Sequence, residues 1–233
     1  MRGTEQVDAP TSVSVIIPAH NEAGTIQATI KAALGMPGVT EVVVVDDGST
    51  DGTEELARQA GATILLRHSR NLGKGAALQT GWRASHGDVL LLLDADLGNS
   101  AAEGTKLLQP VLSGAADATI ARFPRSARGG GLGLALRLAR WGVRRLTGAS
   151  VEFPLSGQRA IKRCVLEDIG GFSHRFAVET GMTVDLLRRG YRVLEVDTAM
   201  SHRLTGRNVA GFVHRGRQLL NIAGVLARKA FTR

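Results

Sequence analysis

The residues with the clearest chemical potential are carboxylates that follow apolar runs. Leu90-Leu91-Leu92-Leu93 leads into Asp94-Ala95-Asp96, and a spacing of two puts both acids on one side of an extended chain, where they can address one divalent cation. Oxygen ligands favour Mg2+ or Mn2+ over zinc. An isolated pair of this kind is also an ordinary strand-to-loop turn. Two earlier apolar runs end in a similar way, however: Ile16-Ile17-Pro18-Ala19-His20-Asn21-Glu22 and Val43-Val44-Val45-Asp46-Asp47-Gly48. Ser49 or Asp51 suffices to cap the helix that follows the second run, which leaves Asp46 and Asp47 expected to face a crevice. Acids gathered at three strand ends mark a site.

The elements that carry these acids read as an α/β chain with a doubly wound, mostly parallel, Rossmann-like sheet flanked by helices. Strands are expected at Val13 to Ile17, Glu41 to Val45, Ala62 to Leu66 and Asp88 to Leu93, with helical spacing over Thr25 to Leu34, Thr53 to Gln59 and Gly75 to Ser85. The strands are continuous apolar runs, as a sheet covered on both faces requires, and such sheets bind ligands at the carboxyl ends of their strands. In the second half, strands are expected at Ala118 to Ala121, Ser156 to Ile161 and Tyr191 to Val196. Helices are expected at Leu134 to Leu146, Phe176 to Arg189 and within Val209 to Lys229. Residues 1–11 read as a flexible leader and 12–233 as a single domain.

Charge is segregated along the 233 residues. Lys and Arg number 29 against 21 acids, yet seven arginines and no acid lie between Asp117 and Glu152, and seven bases and no acid lie from Ser201 to Arg233. The remainder is therefore negative overall. An anionic partner is implied: nucleic acid, a membrane surface or a phosphorylated substrate. Aromatics are 4 % of residues, too few to stack single strands, so nucleic acid is not expected. Cys164 is the only cysteine, which excludes an intrachain disulfide and fits a cytoplasmic location. The longest apolar run, Val89 to Leu93, is far too short to span a bilayer. The helix from Leu134 to Leu146 places Arg137, Arg140, Arg144 and Arg145 opposite Leu134, Leu138 and Trp141. It reads as a packed surface helix or as a peripheral contact with the inner membrane face.

Five stretches together resemble glycosyltransferase family 2 enzymes of the GT-A fold: Val15 to Glu22, Val43 to Thr53, Arg70-Asn71-Leu72-Gly73-Lys74-Gly75, Asp88 to Asp96 and Ser156-Gly157-Gln158-Arg159-Ala160. The similarity is to polyprenyl-phosphate sugar synthases and phosphoglycerate-type glucosyl transferases. It implies a nucleotide-sugar-binding half at 12–98 and an acceptor-binding half at 99–233. It further implies a nucleotide-diphosphate sugar, UDP-linked, contacted by Pro18, Ala19, Glu22, Asp46, Asp47, Lys74, Asp94 and Ala95. Asp96 and His202 would hold Mg2+ or Mn2+. The acceptor would carry a hydroxyl or phosphate, as a small molecule or a polyprenyl phosphate, and a homodimer fits the same resemblance. Gly98, where the polyprenyl-phosphate enzymes often have Gln, departs from the pattern.

The chemistry requires stabilising charge on a departing diphosphate while the sugar gains oxocarbenium-like character. A metal on Asp96, with Arg122, Arg128, Arg203 or Arg207, would supply it. Glu179 is the candidate base on the acceptor side, with Asp185 as the alternative; displacement by a base implies inversion, and phosphoglycerate-type kinship would permit retention. His20 is read either as a stacking residue near the base or as a polar turn. Arg125 to Gly133 is read as a cationic lid or a solvated connection, and both basic blocks are expected to face the acidic edge across the crevice. A pyrophosphorylase-like nucleotidyltransferase would need a Gly-rich phosphate loop after the first strand, where Pro18-Ala19-His20-Asn21 stands. No Walker loop occurs.

Overall fold

Runs of β-branched residues build the centre of the protein. The structure is a computed structural model that describes residues 11–123, 133–172, 177–201 and 209–231, with only the backbone described over 209–218 and at 231. In its first half Val13–Ala19 (β1), Val39–Asp46 (β2), Ile64–Arg67 (β3) and Val89–Leu92 (β4) alternate with Ile26–Leu34 (α1), Thr53–Gln59 (α2) and Lys74–Ala84 (α3). A 3-10 turn at Gly98–Glu103 runs into Gly104–Leu112 (α4), followed by Ala118–Arg122 (β5), Gly133–Thr147 (α5), Arg159–Lys162 (β6), Arg163–Asp168 (α6), Val178–Arg188 (α7), Val193–Asp197 (β7) and Val209–Phe231 (α8).

Seven strands form one sheet in the order β3-β2-β1-β4-β6-β5-β7, and β6 alone among them runs antiparallel to its neighbours. The direction of β6 has a consequence for the site. The carboxyl ends of β1, β2 and β4 share one sheet edge, and the antiparallel strand brings to that same edge the residues that precede it, Ser156 to Gln158.

Both faces of the sheet are buried. Val15, Ile17, Leu91 and Leu93 pack with Ile26 and Ile30 of α1 and Leu107 and Leu108 of α4, while Ile16, Leu90 and Leu92 pack with Leu78 of α3 and Val178 and Met182 of α7. Alternating side chains of one strand thus enter opposite cores, which is why these strands are apolar throughout. A third cluster joins Ile120 to Ala135, Ala139 and Val143 of α5, Val184 of α7 and Ile222 and Leu226 of α8.

The expected doubly wound, mostly parallel sheet is present, with shifts at several boundaries. β3 begins at Ile64 rather than Ala62, and β7 at Val193 rather than Tyr191. Ser156 to Gln158 precede β6 instead of belonging to it. The 3-10 turn, α4 and α6 had no sequence expectation. Gly98, Gly104 and Pro110 break the helical pattern, yet α4 forms with Pro110 inside it because Leu107, Leu108 and Val111 bury a common face.

At the opposite edge Asp117 ties three strands together. Its Oδ1 accepts from Lys162 Nζ at 2.8 Å and its Oδ2 from the Arg192 backbone N–H at 2.9 Å. These bonds hold its carboxyl down at about 2, against an ordinary 3.8. Because the folded value lies below the unfolded one, the stabilisation is present above about pH 4 and is lost as pH falls toward about 2. Asp117→Asn should therefore cost on the order of 1–2 kcal/mol at neutral pH, and the gap from the parent should close on acidification through that window. Urea unfolding at several pH values measures this.

Candidate active site

Asp47 organises the edge of the cleft. It lies at the end of β2, 3 % exposed, with Oδ1 accepting from the Leu72 N–H at 2.9 Å and Oδ2 from the Gly73 N–H at 2.8 Å. His68 Nδ1 stands 2.7 Å from Oδ1. One carboxylate thus fixes the segment before α3, and with it Lys74, the first residue of that helix. His20 Nδ1 lies 2.9 Å from the Asp47 carbonyl oxygen, which can only accept, so this nitrogen carries the proton. Asn21 Nδ2 donates to the other ring nitrogen at 3.3 Å.

Asp46 points the other way, as adjacent residues of a strand must. It is fully buried, its Oδ1 accepts from the Ser49 N–H at 3.0 Å, and its Oδ2 lies 3.5 Å from Arg67 Nε. It does not line the cleft, and the expectation that both acids face the crevice is corrected to Asp47 alone. Asp51, rather than Ser49, receives the first N–H of α2, from Thr53 at 3.1 Å.

Three segments distant in sequence converge on one ammonium. Lys74 Nζ lies 2.6 Å from Asp94 Oδ1 and 3.0 Å from Glu179 Oε1. Burial opposes its charge, but the two carboxylates outweigh burial and raise its pKa above the ordinary lysine value. Asp94 Oδ2 accepts from Gln158 Nε2 at 2.6 Å. Gly157 passes so close that a Cβ there would sit 2.3 Å from Lys74 Nζ and 3.1 Å from Asp94 Oδ2. No larger residue leaves that contact undisturbed.

Arg159 holds this arrangement from beneath. It is buried, its Nε donates to the Ser156 carbonyl at 2.8 Å, and its two terminal nitrogens donate to the Pro154 carbonyl at 3.1 Å and to Thr183 Oγ1 at 2.8 Å. Thr183 Oγ1 in turn donates to the Glu179 carbonyl at 2.8 Å. The chain of bonds locks the loop before β6 to the first turn of α7. Burial lowers the Arg159 pKa to about 10, partly offset by the charges of Glu179 and Glu195.

The cleft so formed has a volume of about 290 Å³. Pro18, Ala19, His20 and Glu22 line it from the end of β1, Asp47 from β2, Asn71, Lys74 and Ala77 from α3 and the segment before it, and Asp94, Ala95 and Asp96 from the end of β4. Thr29 of α1 steadies the last segment: its Oγ1 donates to the Ala95 carbonyl at 2.9 Å and accepts from the Gly98 N–H at 2.8 Å. Among the described lining residues four are acids and one, Lys74, is a cation. Asp94 is held by Lys74 and Gln158, and Asp96, two residues on, lines the same cleft, where either carboxylate could meet a metal. One or two carboxylates completed by substrate phosphates are a usual Mg2+ donor set, so the residues fit such an ion. No group of three or more metal-binding side chains occurs among the described residues.

Arg122 is not brought to the cleft. As the last residue of β5 it pairs with Glu152 at 3.3 Å and with Asp197, the last residue of β7, at 3.3 Å. Arg137, Arg144 and Arg145 are exposed on α5 and do not line the cleft, which corrects, for these residues, the expectation that the basic block faces the acidic edge. Asp185, the alternative base, is bound to Lys229 at 2.5 Å. His202, Arg203, Arg207, Arg128 and the 125–132 part of the anticipated lid lie outside the described residues. Asn71, Gly157, Gln158 and Arg159 lie in the stretches that carry the family resemblance, which by itself assigns them no role; the structure supplies it.

Residues 14–177 match the model of the family described as glycosyl transferase family 2. Glycosyltransferase AglJ of Haloferax volcanii is 33 % identical over 205 residues, covering 84 % of this chain and 65 % of the relative. Glucosyl-3-phosphoglycerate synthase of Mycobacterium tuberculosis is 31 % identical over 208 residues, covering 79 % and 64 %. The chain thus spans just under two thirds of the length of these two relatives. A crystal structure of the mycobacterial synthase with Mg2+ and UDP superposes with a TM-score of 0.76 at 28 % identity, covering 94 % of this chain and 79 % of that one. Another, with Mn2+, UDP-glucose and phosphoglyceric acid, gives 0.75 at 28 % identity, covering 93 % and 80 %.

Lys74→Met should leave Asp94 and Glu179 opposed without a cation. With Lys74 36 % exposed, the loss in urea unfolding should be on the order of 1 kcal/mol, and Asp94→Asn added to it should recover part.

Proposed function

The chain belongs to glycosyl transferase family 2 and has its GT-A fold, and on that premise we propose that the cleft binds a UDP-sugar with Mg2+ or Mn2+ and transfers the sugar to a phosphate-bearing acceptor. The observation that carries this reading is the charge of the cleft: Glu22, Asp47, Asp94 and Asp96 face the space with Lys74 as the sole described cation. A diphosphate would be repelled there unless a divalent cation entered with it. When bound, such an ion on Asp96 supplies positive charge to the leaving diphosphate. The similar mycobacterial synthase, crystallised with UDP and Mg2+ or Mn2+, supports the same donor.

The residues of this chain divide the remaining work. Pro18, Ala19, His20 and Asn71, which line the cleft, would contact the nucleoside. Lys74 stands beside the acids as a second positive charge for the diphosphate. Glu179, held by Lys74 and by the Arg159–Thr183 chain, occupies the first turn of α7. On a hydroxyl acceptor the anomeric carbon loses its bond to the diphosphate oxygen and gains one to the hydroxyl oxygen, whose proton the Glu179 carboxylate takes; a phosphate acceptor would attack through an oxygen that is already ionised and would need no base. This role requires inversion at that carbon; a retained anomer would remove Glu179 as base and leave the donor reading intact.

The acceptor's phosphate is carried either by a small hydroxy acid, as with the phosphoglyceric acid of the mycobacterial complex, or by a polyprenyl chain at a membrane face. Each reading has a relative that supports it: the mycobacterial synthase the first, and undecaprenyl-phosphate 4-deoxy-4-formamido-L-arabinose transferase of Pseudomonas aeruginosa, 30 % identical over 174 residues, the second.

Calorimetry should show UDP binding with Mg2+ or Mn2+ and a loss of at least about tenfold in EDTA; equal affinity in EDTA would sink the metal assignment. Asp96→Ala should lower transfer by about 100-fold or more with an unchanged unfolding midpoint. Glu179→Gln should keep UDP binding and lose about 100-fold to 10,000-fold in turnover of a hydroxyl acceptor.

A further inference from the structure

The surface of α5 carries a feature that the cleft does not use. Leu134, Arg137, Trp141, Arg144 and Arg145 are exposed along one side of this 15-residue helix, with Leu138 half-buried beside them, which corrects the expectation that these arginines lie opposite Leu134, Leu138 and Trp141; at about 100° per residue these positions fall on one face. Leu134 is 68 % exposed and Trp141 63 % exposed, while Ala135, Ala139, Gly142 and Val143 face the core. A helix held in place by packing has no need of an outward Trp and Leu. Solvation alone would favour acids among the arginines, and α5 has none.

Its neighbour continues the pattern. α8 packs on α5 so closely that a Cβ at Gly142 would lie 2.2 Å from Leu226, and α8 exposes Leu220 at 75 % together with Ala223 and Ala227. Two acids beside these helices are engaged: Glu152, whose carbonyl accepts from Arg140, pairs with Arg122, and Asp185 pairs with Lys229 of α8. No described helix is long and apolar enough to cross a membrane.

We propose that the outward face of α5, with α8 beside it, docks on an anionic lipid surface. Apolar side chains interleaved with arginines suit the boundary between acyl chains and anionic head groups, where Trp and Leu enter the apolar layer and guanidinium groups meet phosphates. A second copy of the chain is a poorer occupant, since a two-fold contact through this face would bring the same arginines together without acids to pair them. The proposal rests on the function above for its purpose, delivery of the cleft to a lipid-borne phosphate. Its readout does not involve transfer.

The test is sedimentation with vesicles of phosphatidylcholine alone or containing about a third phosphatidylglycerol, with UDP calorimetry on the same samples. Binding is expected only on the anionic vesicles and should weaken as salt rises from about 0.05 to about 0.5 M. The triple variant Arg137→Ser, Arg144→Ser, Arg145→Ser should bind these vesicles about 100-fold more weakly, and Leu134→Ser with Trp141→Ser should do likewise. Both should keep the parent's affinity for UDP with metal, because none of these residues lines the cleft. Equal binding to both vesicle types, vesicle binding unchanged in both variants, or a dimer abolished by the Leu134, Trp141 variant in place of vesicle binding would each overturn the proposal. Loss of UDP binding by the parent would instead count against the proposed function.

Discussion

The site depends on one ammonium group shared by two carboxylates. Without Lys74, Asp94 and Glu179 would face each other at the rim of a cleft already crowded with acid, and like charges at such separations cannot both stay ionised cheaply. Each of the surrounding features serves to place that group. Asp47 accepts two backbone N–H bonds and so sets where α3 begins; α3 begins at Lys74. Gly157 leaves room for the side chain to reach across, and Arg159 ties α7 to the loop that carries Gly157. The ion triad therefore joins the first half of the chain to the second through side chains, while β4 and β6 join them through the sheet.

That second join explains why one strand runs backwards. In a wholly parallel sheet the residues preceding a strand lie at the edge away from the ligand. Reversing β6 puts Ser156, Gly157 and Gln158 beside Asp94, where Gln158 can donate to it. Asp94 is then held on both oxygens, and the flexible pair of acids becomes a fixed one. Such preorganisation is what a site needs if it is to meet developing charge without reorganising.

Much of this was legible in the residues, because both sheet and acids follow from short-range patterns. Continuous apolar runs named the first strands, and the acids after them named the edge. What a local pattern cannot carry is the partner of a side chain far away in sequence. Asp46 and Asp47 are chemically alike, and only the register of β2 against β1 and β3 decides that one faces the cleft and the other is buried against the Ser49 N–H and Arg67. Arg122 follows a strand as the acids do, yet Glu152 and Asp197, 30 and 75 residues away, claim it. Lys74 was readable through the family resemblance as a nucleotide contact, but its two carboxylates come from segments that nothing in Gly73-Lys74-Gly75 indicates. α4 was hidden for the opposite reason, since Gly104 and Pro110 oppose a helix that burial of Leu107 and Leu108 nonetheless secures.

The segregation of charge along the chain then has a spatial meaning. Arg137, Arg144 and Arg145 face solvent from α5 and none lines the cleft, so they act first on what approaches from outside. Among the described residues the cleft has Lys74 as its one lining cation, and a divalent ion arriving with the substrate would add to it. A single pool of basic residues serving both tasks would couple surface attachment to donor affinity, so that salt or lipid composition would change both together. Placing the arginines on α5 and leaving the cleft acidic keeps the two electrostatic interactions independent, which is why a change at Arg144 and a change at Lys74 are expected to register in different measurements.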